Sequence, residues 1–212
     1  MTDHANQKPR QLPRGPHALS RDEVVQAQRE RLFFAMAECA ATHGYMQTSV
    51  ADVLALSGIS RATFYQLFAD KEDCFCAAYQ EATRQLGKVL ITTAAAGPVG
   101  PLERLDLLLG SYLQQLASRP AFARAFMVEV HAAGLRANGQ RQAVIESFID
   151  LVAATLEGRT GSLGSAEDQR FAVKLLVHGV ISLVTSMIGT GDTVRLPELR
   201  EPLMRLATGL MR

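Results

Sequence analysis

Apolar residues recur along this chain at spacings of three and four, not two. Between Asp22 and His43 the residues Leu32, Phe33, Met36, Cys39 and Ala40 share one stripe, which predicts an amphipathic helix. Ser20 is its candidate N-terminal cap and Gly44 its stop. Two short units follow. Thr48 or Ser49 caps a helix on which Val50, Val53 and Leu54 share a face, and Ser60 caps a second carrying Phe64 and Phe68. Gly58 stands between them, where a tight turn favours a positive φ.

A helix starting near Lys71 continues through Tyr79, Leu86 and Leu90 to the Gly97-Pro98-Val99-Gly100-Pro101 cluster, the clearest punctuation in the chain. Beyond it the pattern predicts helices at about 101–118, 120–134, 138–157, 166–189 and 197–211, with stops at Arg119-Pro120, Gly134, 158–164 and 189–197. No run alternates with the period of a strand between hairpin signals, and no internal repeat is found. The expected class is therefore all-α, with about nine helices.

Composition narrows the class further. Of the 212 residues 48% are hydrophobic, Trp is absent and the formal charge is +1, so bulk charge does not announce a nucleic-acid partner. Local charge differs: Lys8, Arg10, Arg14 and Arg21 are opposed before position 22 only by Asp3, in a Pro- and Gly-bearing segment. Residues 1–19 read as a flexible basic arm, either a solvated leader or a segment whose Arg10 and Arg14 enter a DNA minor groove. Cys39, Cys74 and Cys76 lack metal-ligand spacing and read as buried thiols in a reducing compartment, with a redox role the lesser alternative. No metal or cofactor is expected. The polar N-terminus has no signal-peptide core. The longest apolar stretch, from Val173 to Ile188, is shorter than the roughly 20 residues of a membrane span and reads as a buried helix, so a cytoplasmic protein with no membrane partner is expected.

From Thr48 to Phe68 the chain reads TSVADVLALSGISRATFYQLF, the spacing of a helix-turn-helix. Its second helix must bury Ile59, Phe64 and Phe68 against its support while its first turn presents side chains to base edges. Arg61, Ala62, Thr63 and Tyr65 form that exposed set, with Ser60 and Gln66 beside them.

The words TSVADV, GISRATFYQLF and ADKEDCF resemble the TetR family over about residues 20–79. In that family a first helix, this helix-turn-helix and a fourth helix opening with a lysine form the DNA-binding unit. The resemblance implies that Thr48 and Ser49 meet phosphate, that Tyr65 and Lys71 grip the DNA backbone, that Arg61 and Thr63 read bases and that Ala62 offers a small apolar contact. The chain departs from the pattern at Leu67, where many relatives have His; that contact is missing or replaced by a thymine methyl. Each residue also has a plainer role: Thr48 and Ser60 as caps, Tyr65 as a packing residue, Lys71 as a solvated cation.

The resemblance further implies a division into the basic arm, a DNA-binding domain at 20–70 and a helical ligand-binding and dimerisation domain at 71–212. Candidate effector contacts are Tyr112, Glu129, His131 and His178, polar groups inside apolar stretches, with Phe126, Val130 and Phe148 as apolar lining. In a homodimer the last two helices would pair with their copies through Gly179, Ser182 and Ser186 and the apolar Leu203, Leu206 and Leu210. The expected function is a regulator released from a palindromic double-stranded DNA operator by a small molecule. The alternative is a helical interaction protein that no longer binds DNA specifically. Catalysis finds no support, since G-x-S-x-G, H-E-x-x-H and P-loop patterns are absent.

Overall fold

A computed structural model describes residues 20–96, 100–156 and 165–210; the basic arm and most of the Gly97–Pro101 cluster lie outside them. Among the described residues there are nine α-helices and no strand. The first three are α1 (Arg21–His43), α2 (Val50–Ser57) and α3 (Arg61–Leu67). Local chemistry sets their ends. Ser20 Oγ accepts from the Glu23 amide while Glu23 accepts from the Ser20 amide, a reciprocal cap. Ser49, not Thr48, caps α2 in the same manner with Asp52, and Ser60 caps α3. The turn between α2 and α3 requires Gly58 at φ +63°, with Arg31 donating to the Ser57 carbonyl beside it.

The body holds α4 (Lys71–Ala96), α5 (Pro101–Ala117), α6 (Pro120–Met127), α7 (Leu135–Leu156), α8 (Ala166–Thr190) and α9 (Arg200–Leu210). The single helix expected at 120–134 is broken. α6 stops at Met127, a 3₁₀ turn spans Glu129–Ala132, and Gly134 at φ +101° redirects the chain so that α7 starts three residues early. A tertiary contact accounts for the break, because Glu129 turns back to accept from the Tyr45 amide at 2.9 Å. A second 3₁₀ turn, Thr193–Leu199, contains Pro197 and delays α9 to Arg200.

One core joins α1–α4 to α6 and the start of α7: Leu32, Met36, Phe64 and Phe75 meet Ala125, Phe126, Val130 and Ala137 in a single cluster. At about 1.5–3 kcal/mol for each large side chain buried, this shared cluster ties the reader to the body more strongly than the α4 tether alone would. Two further clusters fill the body between α5, α7, α8 and α9. The stretch at 173–188 is not a fully buried helix. Val173, Val177, Ile181, Val184 and Ile188 point inward, while Phe171, Leu175 and Leu183 on the other face are 48–68% exposed. By length and composition α8 is apolar enough to cross a membrane, a test that protein-facing helices also pass.

Candidate DNA interface and effector cavity

On α3, Phe64 is fully buried and Phe68 and Ile59 nearly so, which turns Arg61, Ala62, Tyr65 and Gln66 outward. Thr63 is half-buried, its hydroxyl 2.9 Å from that of Ser60. Tyr65 is half exposed, its ring set edge-on to Phe64 at 5.3 Å. Arg61 has no ion pair with any described residue, so its guanidinium is free for an outside partner. Ser49 is exposed at the start of α2, next to Met46 and Gln47, two exposed residues that sequence reasoning did not single out.

Three expected DNA contacts are engaged elsewhere. Lys71 Nζ donates to the carbonyls of Tyr45 and Thr48, both at 2.9 Å, and sits 4.1 Å from the Tyr45 ring centroid. Burial lowers its pKa, and in this structure it clamps the approach to α2. Thr48 is 2% exposed and its hydroxyl donates to the Gly44 carbonyl. Leu67 packs against the shared core, which accounts for an apolar residue there without a thymine methyl. Burial raises the pKa of all three cysteines, Cys74 to about 12, as expected of inert buried thiols.

The body holds a partly open cavity of about 250 Å³. Its wall is overwhelmingly apolar: Leu86 and Leu90 from α4, Leu108 and Leu109 from α5, Phe122 and Phe126 from α6, Ile145 and Phe148 from α7, Val177 and Ile181 from α8, and Leu203 and Ala207 from α9. A few polar groups interrupt it, chiefly Tyr79, Gln85, Tyr112, Gln115, Arg119 and Arg141. Arg119 stacks over Phe122 at 4.0 Å and reaches Gln85. Thr83, Val144, Phe148 and Leu151 also line a surface groove between α1, α4 and α7, a candidate way in.

Of the expected effector contacts, Tyr112, Phe126 and Phe148 line this cavity and four do not. Glu129 holds the Tyr45 amide and lies 3.7 Å from Arg124. Val130 is buried in the shared core, and His131 is exposed on the 3₁₀ turn. His178 sits on the outer face of α8, because it falls one position past the inward-facing Val177. Arg119 and Arg141 were missed because cations are ordinarily solvated and nothing in their spacing marks them otherwise.

The outer face of α8 presents Phe171, Leu175, Gly179, Ser182, Leu183 and Ser186, and Leu206 on α9 is 55% exposed. Nothing lies within 4 Å of where a Cβ on Gly179 would stand. Leu203 faces the opposite way, into the cavity, and the Leu210 side chain lies outside the described residues.

Residues 35–78 match the family model for bacterial regulatory proteins of the tetR family. No curated protein sequence matches the chain. Among solved structures, the fatty acid degradation regulator FadR from Bacillus halodurans is similar at 22% identity and a TM-score of 0.78, over 87% of this chain and 96% of that one. FadR from Bacillus subtilis, solved in complex with stearoyl-CoA, is similar at 20% identity and 0.75, over 86% and 98%. A TetR-like transcriptional regulator from Rhodococcus sp. RHA1 is similar at 20% identity and 0.65, over 94% and 99%. The chain thus carries a helix-turn-helix segment that matches the tetR family model, set on a body with the same fold as these solved regulators.

Proposed function

We propose that the chain is a homodimeric repressor, released from a near-palindromic operator in the cytoplasm when a small apolar molecule occupies the body cavity. Residues 20–70 would read DNA, and 71–212 would bind effector and dimerise. One observation carries the reading: α6 supplies Phe122 and Phe126 to the cavity wall and runs directly into Glu129, which holds the Tyr45 amide beside α2. A ligand that shifts α6 must therefore move either that bond or the reader. The apolar lining favours a hydrocarbon effector, a reading supported by the stearoyl-CoA complex of a protein with this fold.

In this reading Arg61 contacts base edges with Ala62 and Thr63, while Ser49, Ser60, Tyr65 and Gln66 meet the backbone or flanking bases. The exposed α8 and α9 face pairs with its copy and sets the two readers about one DNA turn apart. Effector and DNA then oppose one another reciprocally, with a coupling of about 1–3 kcal/mol. Fluorescence anisotropy against DNA from upstream of the chain's own gene is the test. Selective binding that Arg61→Ala relaxes, by about 1–3 kcal/mol of discrimination, supports the proposal. Equal affinity for a scrambled duplex sinks it and favours the interaction-protein alternative.

A further inference from the structure

Tyr79, Tyr112 and Arg141 line the cavity, and none has its polar end engaged by another described residue. The Tyr79 ring packs 5.8 Å from Phe126 and the Tyr112 ring 6.1 Å from Phe148, both edge-on. Ring packing thus fixes both phenols while their hydroxyls make no hydrogen bond to a described residue. Tyr79 is only 4% exposed and lines the cavity, where its hydroxyl has no partner among the described residues. Arg141, half-buried, pairs with no described carboxylate, whereas Arg136, Arg170 and Arg200 each do.

The three groups share one cavity wall. Burial raises the pKa of Tyr79 to about 12 and that of Tyr112 further, and in each case the Arg141 charge pulls the other way. Two neutral phenol donors beside an uncompensated guanidinium suit an anion. Polar groups that line an apolar cavity are matched by a partner when a ligand displaces water, and here no described residue supplies one.

We infer that the effector is a hydrocarbon carboxylic acid, its carboxylate bound by Arg141 with the Tyr79 and Tyr112 hydroxyls donating and its chain filling the apolar remainder. This rests on the cavity being the effector site proposed above. A coenzyme A thioester carries no charge at the carbonyl end of its chain, so it would leave the Arg141 guanidinium in the cavity wall without a counter-ion. The interior groups therefore favour a free acid over its coenzyme A thioester.

Calorimetric titration of the full chain with dodecanoate, dodecan-1-ol and dodecanoyl-CoA tests this. Dodecanoate is expected to bind at least about tenfold tighter than the isosteric alcohol, a difference of about 1.4 kcal/mol. Arg141→Met should erase that preference by weakening the acid and not the alcohol; Tyr112→Phe should narrow it in a variant with a nearly unchanged core. Equal binding of acid and alcohol, or an acid preference that survives Arg141→Met, overturns the assignment. Binding of dodecanoyl-CoA alone also overturns it, yet leaves the effector cavity standing. If none of the three binds, the acid class is excluded, and the repressor reading is judged separately by the DNA titration.

Discussion

Glu129→Ala is the perturbation that bears most directly on how the body speaks to the reader. The Tyr45 amide it leaves behind belongs to a residue 6% exposed, and water cannot readily replace the carboxylate at 2.9 Å. A buried backbone donor left unsatisfied costs about 1–3 kcal/mol. The Arg124 contact, at 3.7 Å and with the Arg side chain 39% exposed, adds at most about 1 kcal/mol. Glu129→Gln keeps an acceptor and loses only the charge, so its cost should fall below about 1 kcal/mol. Urea denaturation measures both variants. Amide hydrogen exchange localises the effect, because opening at Tyr45 should become more frequent by roughly 5–150-fold in the Ala variant while α8 amides stay protected. An Ala variant within about 0.5 kcal/mol of the parent, with unchanged exchange at Tyr45, would show that this bond is no latch.

Lys71→Met should destabilise the chain by about 1–3 kcal/mol, since it strips the Thr48 carbonyl of its donor and leaves the Tyr45 carbonyl only the Thr48 amide, yet leave the salt slope of DNA binding unchanged; a slope flattened by about one unit would return Lys71 to the phosphate backbone. Leu183→Glu places a charge at the centre of the exposed α8 face and should yield monomers in sedimentation, whereas a persistent dimer would exclude this face as the interface. Acid should destabilise the fold through Asp73 and Asp106. The Ala69 amide and Arg136 lower the pKa of Asp73, and Arg200, with bonds of 2.7 Å to both oxygens, lowers that of Asp106. A carboxylate with a depressed folded pKa contributes stability above its unfolded value, 3.8 here, and loses it as pH falls through the folded value. Melting temperatures followed from about pH 5 to about pH 2.5 should therefore fall less steeply for Asp106→Asn than for the parent, and parallel curves would contradict this.

What the sequence determined by itself was local. The caps at Ser20, Ser49 and Ser60, the turn at Gly58 and the 3.6-residue stripes follow from hydrogen bonding and backbone freedom within a few residues, so helix order and the exposed turn of α3 were legible. The resemblance to TetR-type regulators rested on the same short-range words. Only the tertiary structure decided which polar side chains are used up inside the protein. Lys71 and Thr48 look like phosphate contacts in sequence; the Thr48 hydroxyl finds the Gly44 carbonyl four residues away, but the Lys71 partners, the Tyr45 and Thr48 carbonyls, could be assigned only once the approach to α2 had folded against α4. Glu129 and His178 stand in apolar stretches like pocket residues, but a rotation of one position on α8 and a break after α6 send both elsewhere. Arg141 shows the converse: a guanidinium is written identically whether it is solvated or lines a cavity, and only six helices converging around Tyr79 and Tyr112 make it a candidate anion site. Periodicity fixes the face a residue shares with its near neighbours. What that face meets depends on contacts between residues far apart in the chain, which no local pattern encodes.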